Sequence, residues 1–451
     1  MAERDVIVIG GGPAGLAAAS QIAGCGYSVE IIEQRDSLGG AVHRQPINGN
    51  ASIAQAFGTS ASWQRLSRAF SAAQVPVRYE SVFLGVDGNG LVLIENRRTG
   101  RVELSQPKSV IIATGAVETV YPRAGWHLPG VSTAGGLQVM MKETGRAPEG
   151  RVLLAGSGPL LVAVAAQMAR LGNPPVAIVE AGDPVRRLKA GLSLLANPMI
   201  LREAAGYLGS ITHSRIPWWR GVRITTIEND SNSLNVLLVK NNGMERRLTV
   251  DRVGLHDGIR PNDFGLPDEA VAPTSAPLIF RAGDCREALG AYAAEIDGHR
   301  VGRAVVDALS GNRSSADLEG ALSRARRGQA KLAALFAPIE QGSALAHLSD
   351  ETVLCRCEGK TVGDLRSLCE QRDRLSGREV KHNGRFAMGA CQGRFCAANT
   401  AALMAQINPG EPSPSVEDLT GRRWPVRPVS IAALTASNST SPERQLWGFP
   451  R

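Results

Sequence analysis

Runs of consecutive apolar residues alternate with glycine turns and helical stretches through much of the chain. The strand predicted at 5–9 is apolar after Asp5, and a glycine turn, a helical stretch at 16–23 and a second, mostly apolar run at 28–32 follow. The same order of elements returns at 150–180. Continuous apolar strands are typical of parallel sheets that are buried on both faces. The pattern therefore predicts an α/β chain with two Rossmann-like dinucleotide-binding folds.

The first glycine turn has the full spacing of a dinucleotide fingerprint. Gly10, Gly12 and Gly15 lead into the helix, and Glu33 ends the second apolar run. Such glycines permit a tight turn, the approach of a pyrophosphate and close helix packing, while the acidic residue accepts a ribose 2′-hydroxyl. A glycine-rich turn that binds nothing is the competing interpretation, and the completeness of the pattern disfavours it.

Three later segments resemble the flavin-binding members of the two-dinucleotide-domain flavoprotein superfamily. They are the pair Gly39-Gly40, the strand end Thr114-Gly115 and Asp284, which follows an apolar strand at 278–281. The resemblance implies that Gly40, Thr114 and Gly115 line the flavin site and that Asp284 binds the ribityl chain of FAD. A helix is expected at 293–309.

Polar side chains next to these segments are weaker candidates for the flavin site. Arg44, after His43, is the expected cofactor contact, with a solvated turn as the alternative. His127, and His256 with Asp257, are equally ambiguous, and no catalytic residue is assigned.

The second glycine turn departs from the fingerprint. Gly156 and Gly158 are present, but Leu161 replaces the third glycine. A bulky residue there holds the helix away from the strand and disturbs a pyrophosphate site. The substitution favours a vestigial site, or one for another nucleotide, over a nicotinamide site.

Composition narrows the function classes. The chain has 451 residues, of which 43% are hydrophobic, 20% are charged and only 4% are aromatic. Its net charge is +8, but the basic residues are spread along the sequence. This pattern argues against nucleic acid and favours a basic surface that meets an acidic partner protein. Neither a membrane span nor a signal peptide is recognised, so a cytoplasmic location is expected.

The positions of the seven cysteines separate two kinds of redox chemistry. Residues 41–60 and 125–277 contain no cysteine, so the redox pair of the disulfide reductases is missing. Cys25, Cys285 and Cys369 are expected to be packed thiols.

The other four cysteines form two close pairs near the end of the chain. The pairs are Cys355-x-Cys357 and Cys391-x4-Cys396, and helices are expected from Thr361 and just after Cys396. Helix N-termini stabilise anionic sulfur. Structural zinc sites usually space their cysteines by two to four residues, which fits the first pair poorly. The spacing resembles the bacterioferritin-associated-ferredoxin type of [2Fe–2S] domain and favours iron–sulfur over zinc.

Nearly the whole chain resembles the α subunits of opine (octopine/nopaline) oxidases and D-hydroxyproline dehydrogenases, and the related chain of hydrogen cyanide synthase. The resemblance is carried by residues 125–136, by the cluster segment 388–396 and by the closing motif 423–429. It implies a flavin-dependent enzyme acting on CH–NH donors, with FAD on the first fold and [2Fe–2S] on the four cysteines.

The resemblance also implies partners. A β subunit of the D-amino-acid-oxidase type would oxidise the C–N bond of a secondary amino acid, with an FMN held between the subunits and a small ferredoxin-like γ subunit in some complexes. This chain would relay electrons from the β flavin through FAD and [2Fe–2S] to an acceptor. A self-contained NAD(P)H oxidoreductase, a cyanide-forming subunit of a glycine dehydrogenase and a non-enzymatic scaffold remain alternatives.

The predicted domains follow from these motifs. Residues 1–118 with 245–312 form a discontinuous FAD-binding domain, and residues 119–244 form the second nucleotide-binding-like domain. Residues 313–350 form a helical connector, and residues 351–451 form the [2Fe–2S] domain and the tail.

Overall fold

The computed structural model describes residues 4–47, 61–187, 198–272, 277–311, 318–337, 345, 347–371, 375–410, 412, 414–421 and 425–438. The described helices are α1 (Pro13–Gly24), α2 (Ala61–Ala72), α3 (Ala134–Thr144), α4 (Pro159–Arg170), α5 (Pro198–His213), α6 (Ala291–Ser310), α7 (Glu319–Phe336), α8 (Val362–Glu370), α9 (Gly377–Gly384), α10 (Ala397–Ile407), α11 (Val416–Thr420) and α12 (Ile431–Asn438). The described strands are β1 (Val6–Ile9), β2 (Val29–Ile32), β3 (Val77–Arg78), β4 (Ser81–Val86), β5 (Val92–Asn96), β6 (Arg101–Ser105), β7 (Ser109–Ile112), β8 (Ala116–Glu118), β9 (Val131–Thr133), β10 (Val152–Gly156), β11 (Ala177–Glu180), β12 (Trp218–Arg220), β13 (Val222–Asp230), β14 (Ser233–Lys240), β15 (Glu245–Val250), β16 (Arg252–His256), β17 (Ile259–Pro261), β18 (Leu278–Arg281), β19 (Val353–Cys355) and β20 (Lys360–Thr361).

The first sheet is parallel and has the strand order β18-β7-β1-β2-β3. Its central strand β1 is buried along its whole length, as its apolar run predicts. Helices α1 and α6 pack together on this sheet. A Cβ on Gly298 of α6 would lie only 2.2 Å from the carbonyl oxygen of Ala14, so the two helices meet backbone to backbone. This contact holds the turn before α6 against the glycine turn after β1.

The second sheet repeats the design with the order β12-β11-β10-β16-β9, again parallel. The α/β prediction with two Rossmann-like sheets is confirmed. β15 pairs with β14, and β16 pairs with β10, so both strands belong to the second part of the chain. The chain therefore returns to the first sheet after His256, later than the predicted boundary at 245. The predicted boundary at 312 lies outside the described residues.

Two antiparallel three-stranded sheets, β4-β5-β6 and β13-β14-β15, were not predicted from the apolar runs. β14 alternates buried and half-buried positions and so lacks a continuous apolar signal, whereas β4 is buried from Ser81 to Gly85. A short antiparallel pair, β8 with β17, carries the chain between the two nucleotide folds.

The C-terminal part, from β19 to α11, is mainly helical. Its core includes Leu354, Leu365, Phe386 and Leu403, all 2% exposed or less. Thr361 caps α8 as predicted, and Cys396 stands at the start of α10 as predicted. Arg423 and Trp424, the first two residues of the closing motif 423–429, lie outside the described residues. No helix within the described ranges is long and apolar enough to cross a membrane.

Candidate functional site

The glycine turn after β1 is as tight as its sequence predicts. Gly10 has a φ of +106°, and a Cβ there would lie 2.5 Å from the Ala113 carbonyl oxygen. A Cβ on Gly15 would lie 1.9 Å from the Gly10 carbonyl oxygen, so any side chain would push α1 off the turn. Gly12 ends the turn as the N-cap of α1, with Pro13 in the first helical turn. The first turn of a helix leaves backbone amides without partners in the helix, and such an N-terminus favours a phosphate.

Gly40 and Glu33 close around the same turn. A Cβ on Gly40 would lie 3.1 Å from the Gly12 Cα, so the two glycines face each other at short range. The Glu33 carboxylate accepts hydrogen bonds from the backbone amides of Gly11, at 2.7 Å, and Arg35, at 3.0 Å. Glu33 is only 6% exposed. These bonds hold the carboxylate at the end of β2, where a ribose hydroxyl would be recognised.

Thr114 and Gly115 lie at the end of β7 and are tied to one residue that the sequence reasoning missed. The Thr114 hydroxyl donates to the Asn262 carbonyl at 2.8 Å, and the Asn262 side-chain amide donates to the Thr114 carbonyl at 3.1 Å. The Asn262 backbone amide donates to the Gly115 carbonyl at 2.9 Å. In the sequence, Asn262 is marked only by its place just after Pro261, which is the last residue of β17.

Asp284 follows β18 and lies between that strand and α6. One carboxylate oxygen accepts hydrogen bonds from the backbone amides of Leu289, at 3.0 Å, and Gly290, at 2.9 Å. Burial raises the pKa of Asp284 above its ordinary value. The arrangement fixes the side chain at the N-terminus of α6, where a second oxygen remains for a hydroxyl-bearing ligand.

A second acidic residue, Asp297 on α6, holds the Asp284 turn and was also missed. It accepts a 2.7 Å hydrogen bond from the backbone amide of Gly283, whose φ is +69°. It also pairs with Arg286 and Arg300, each at 2.8 Å. Burial alone would raise the pKa of Asp297, but its hydrogen bonds and the two arginines hold that pKa below its ordinary value.

Arg44 lies on the Glu33 side of the site. Its side chain is 9% exposed and its Nε is 3.5 Å from the carboxylate of Glu143 on α3, with no hydrogen bond to that buried nitrogen. Burial lowers the pKa of Arg44. Lys142, next to Glu143, donates to the carbonyls of Ala41 and Val42. Helix α3 therefore clamps the chain between Gly40 and Arg44.

The remaining sequence candidates lie elsewhere. His43 stacks on Trp63, with ring centroids 5.4 Å apart. His256 forms a buried 2.8 Å pair with Glu118, and Asp257 pairs with Arg123. His127 follows Trp126, whose indole donates to the Val353 carbonyl at 2.6 Å, so this loop packs against the cysteine-bearing part.

The cysteines meet pairwise across the two motifs, Cys355 with Cys396 and Cys357 with Cys391. Cys355 and Cys396 are each 1% exposed, whereas Cys391 is half-buried and Cys357 is exposed. The Cys396 thiol faces Cys355 and lowers the pKa of Cys355 to about 6, while the pKa of Cys396 is raised. The amide and thiol of Cys391 face Cys357 in turn.

The surroundings of these sulfurs suit anionic ligands. Backbone amides of Glu358, Ala387 and Cys357 point toward the Cys355 sulfur. Hydrogen bonds of this kind tune iron–sulfur centres. A Cβ on Gly389 would lie 2.2 Å from the Cys357 Cβ, so only glycine fits beside that cysteine. Across the described ranges, no three His, Cys, Asp or Glu side chains stand close enough to hold a metal ion. The donor set matches a four-thiolate site in kind, but its sulfurs are not in coordination geometry.

Comparison with known proteins gives the family. Residues 4–304 match the family described as pyridine nucleotide-disulphide oxidoreductase. The chain belongs to this family. An opine oxidase subunit of Agrobacterium tumefaciens (strain Ach5) is 31% identical to it, over 95% of this chain and 91% of that protein. Hydrogen cyanide synthase subunit HcnB of Pseudomonas aeruginosa (strain PAO1) is 28% identical, over 95% of this chain and 97% of its own length.

A solved structure supports the fold of this oxidoreductase. The L-proline dehydrogenase from P. horikoshii superposes with a TM-score of 0.61, at 19% identity, over 96% of this chain and 79% of that chain. The family resemblance drawn from the sequence motifs is thus confirmed, and the protein is a flavin-dependent oxidoreductase that binds FAD.

A short series of contacts joins the two candidate sites of this oxidoreductase. Asn262 accepts a hydrogen bond from Thr114. Arg260, two residues before Asn262, donates to the Arg394 carbonyl at 2.7 Å. Arg394 in turn donates to the carbonyl of Cys391 at 3.1 Å, and its guanidinium lies 5.2 Å from the Phe264 ring centre. The cysteine loop is therefore anchored to the strand end that carries Thr114 and Gly115.

Proposed function

We propose that this oxidoreductase is the electron-relay α subunit of a hetero-oligomeric flavin-dependent dehydrogenase or oxidase. The partner would oxidise the C–N bond of a secondary amino acid of the opine or D-hydroxyproline type. The observation that supports the proposal is the direct anchoring of the Cys391 loop to the Thr114–Asn262 turn through Arg260 and Arg394.

The residues proposed to hold FAD belong to the first fold. Gly10, Gly12 and Gly15 would present the amides of α1 to the pyrophosphate, and Glu33 would take the adenosine ribose. The others follow in chain order along the flavin and its ribityl chain: Gly40, Arg44, Thr114, Gly115 and Asp284. Bound FAD supplies an acceptor of two electrons that can pass them on singly.

The residues proposed to hold [2Fe–2S] are Cys355, Cys357, Cys391 and Cys396. A cluster on these thiolates supplies a one-electron carrier. Cys355 and Cys396 are buried, whereas Cys357 is exposed to solvent. A cluster on these cysteines would therefore have one side at the protein surface, where an electron acceptor can approach. An FMN would lie at the interface between this chain and the β subunit.

Iron content tests the metal assignment directly. We expect the chain, produced with its partner, to hold about two iron and two sulfide ions and to give an EPR signal on reduction. Cys391→Ser should lose both, whereas Cys369→Ser, in the same helical part but outside both pairs, should keep them. Stoichiometric zinc without iron, or full iron in Cys391→Ser, would overturn the cluster assignment.

Activity of separated subunits tests the relay. The chain alone should oxidise none of octopine, nopaline, D-hydroxyproline or glycine, and the complete complex should oxidise one of them. Cys391→Ser in the complex should still allow the partner's flavin to be reduced by substrate but slow transfer to an artificial acceptor by at least tenfold. Full substrate oxidation by the isolated chain contradicts the assignment.

The same panel decides between two substrate classes. The relative HcnB carries the name of a cyanide synthase subunit. The match covers 97% of HcnB and 91% of the opine oxidase subunit, so coverage does not separate the two classes. Glycine turnover with cyanide release would move the protein to that class without changing the relay role.

A further inference from the structure

The glycine turn of the second fold is covered by a distant part of the same chain. The Ser157 hydroxyl, inside the turn Gly156–Gly158, donates to the carbonyl oxygen of Phe336 at 2.6 Å. A Cβ on Gly182, just past β11, would lie 2.6 Å from the same oxygen and 2.9 Å from the Ala337 carbonyl oxygen. The end of α7 thus lies across both loops that border a dinucleotide site in this fold.

Charge explains why a helix end suits this position. The last carbonyls of a helix carry partial negative charge, and the first amides of a helix carry partial positive charge. The C-terminal end of α7 therefore meets the N-terminus of α4, where the fold would otherwise receive a pyrophosphate. Glu180 ends β11 beside them and accepts hydrogen bonds from the backbone amides of Gly158, at 3.4 Å, and Gly182, at 3.3 Å. Burial raises the pKa of Glu180 to about 8, which lessens the repulsion between its carboxyl and the carbonyls.

Further contacts hold α7 along its length. Arg187 donates to the carbonyl of Ala334. Nearer the middle of the helix, Gln329 donates to the Leu289 carbonyl at 2.9 Å, and Arg326 pairs with Glu287 at 2.8 Å. The helix is thus fixed at one end to the second fold and in its middle to the turn that follows Asp284.

We propose that the second dinucleotide fold is a docking site for this chain's own segment 334–337, which lies where the pyrophosphate of a nicotinamide dinucleotide would bind. Segment 334–337 excludes NADH and NADPH, because its Phe336 and Ala337 carbonyls lie against Ser157 and Gly182, in the space that a dinucleotide would fill. The inference does not depend on the electron relay, since its readouts are nucleotide binding and local opening.

Hydrogen exchange of the full-length chain, followed by mass spectrometry, tests the docking. Gly182→Ala places a Cβ against the Phe336 carbonyl oxygen, and Ser157→Ala removes the hydrogen bond to it. Exchange of the peptide covering 331–337 should rise by roughly two- to tenfold in Ser157→Ala, as one lost hydrogen bond predicts. It should rise further in Gly182→Ala.

Matched controls lie on α5 of the same domain. A Cβ on Gly209 meets no atom within 4 Å, and the Ser210 hydroxyl donates within its own helix at 3.0 Å. Gly209→Ala and Ser210→Ala should leave exchange of 331–337 at the native rate. If Gly182→Ala fails to fold, Ser157→Ala decides the outcome alone.

Calorimetric titration of the native chain with NADH and with NADPH completes the test. We expect no binding tighter than about 1 mM. Two results would overturn the proposal. One is native exchange of 331–337 in both docking variants. The other is NADH binding tighter than about 100 μM with no change in exchange of that segment.

Discussion

Asp297→Asn is the substitution from which we expect the clearest effect on flavin retention. Asp297 is 2% exposed and does not belong to the residues proposed to touch FAD. Its carboxylate holds the Gly283 amide and two arginines, so the change removes a buried charge while keeping the shape of the side chain. The Gly283 turn positions Asp284, so looser packing there should reach the flavin site.

The size of the effect follows from the burial of each partner. Removing one member of a buried ion pair costs about 3–5 kcal/mol because the other charge is left unpaired. Here Arg286 and Arg300 are 25% and 30% exposed, so water can solvate them in part. We therefore expect a loss of about 2 kcal/mol, which lowers Tm by roughly 4–8 °C in a domain of this size.

Thermal unfolding at several pH values is the assay. The pKa of Asp297 is held below its ordinary value in the fold. The unfolded chain therefore takes up the proton first as pH falls, and the stabilisation is complete above about pH 5 and lost below about pH 4. The Tm difference between native chain and variant should shrink on that acid limb, and the variant should release FAD faster at pH 7.

A control on the same helix separates this role from a general effect of removing a carboxylate. Asp307 lies near the C-terminal end of α6, where a negative charge opposes the helix dipole. Asp307→Asn should therefore not lower the Tm and should keep the native flavin content. Equal Tm values and equal FAD release in the two variants would refute the positioning role of Asp297.

Three further changes test other parts of the structure. Gly15→Ala should reduce flavin content measured by absorbance to below roughly a tenth, because its Cβ would lie 1.9 Å from the Gly10 carbonyl oxygen; native content would contradict the tight turn. The pKa of Lys142 is lowered to about 8 by burial, so the unfolded chain binds more protons between about pH 8 and 10. The unfolding free energy of the native chain relative to Lys142→Met should therefore rise over that range in urea titrations, and a flat difference would contradict it. Trp126→Phe removes the bond to the Val353 carbonyl and should cost about 1 kcal/mol in thermal unfolding; an unchanged Tm would show that this contact does not stabilise the cysteine-bearing part.

The sequence indicated those parts of the site that are made by neighbouring residues. Gly10, Gly15 and Glu33 lie on one strand–turn–helix–strand unit, so their spacing alone carries the geometry. Asn262 and Asp297 could not be found in this way. Asn262 reaches Thr114 across 148 positions of sequence, and Asp297 acts on Gly283 from the facing side of α6. Such contacts depend on how elements pack, which a local pattern does not contain.

The C-terminal part illustrates the same limit. The cysteine spacing predicted two pairs and the helices that follow them, and the caps at Thr361 and Cys396 are where the sequence put them. The spacing did not predict which cysteine of the first pair faces which cysteine of the second. Cys355 faces Cys396 and Cys357 faces Cys391, an orientation of the two motifs that their spacing does not contain. A helical connector was also predicted at 313–350, and α7 lies within it, but nothing in the composition of α7 signals that its end covers another domain.

The two nucleotide folds share one topology but differ at the position of the third glycine. At Gly15 the absent side chain lets α1 start against β1. At Leu161 the side chain is fully buried among Val152, Leu154 and Ile178, and the turn before it is closed by the Phe336 carbonyl. A buried leucine in this place stabilises the sheet, and a carbonyl satisfies the turn, so the second fold needs no ligand to be stable. If segment 334–337 stays docked, electrons from NADH have no entry through this fold. The flavin on the first fold must then be reduced from another surface of the molecule, as a relay between a partner's flavin and the cysteine-bearing part requires.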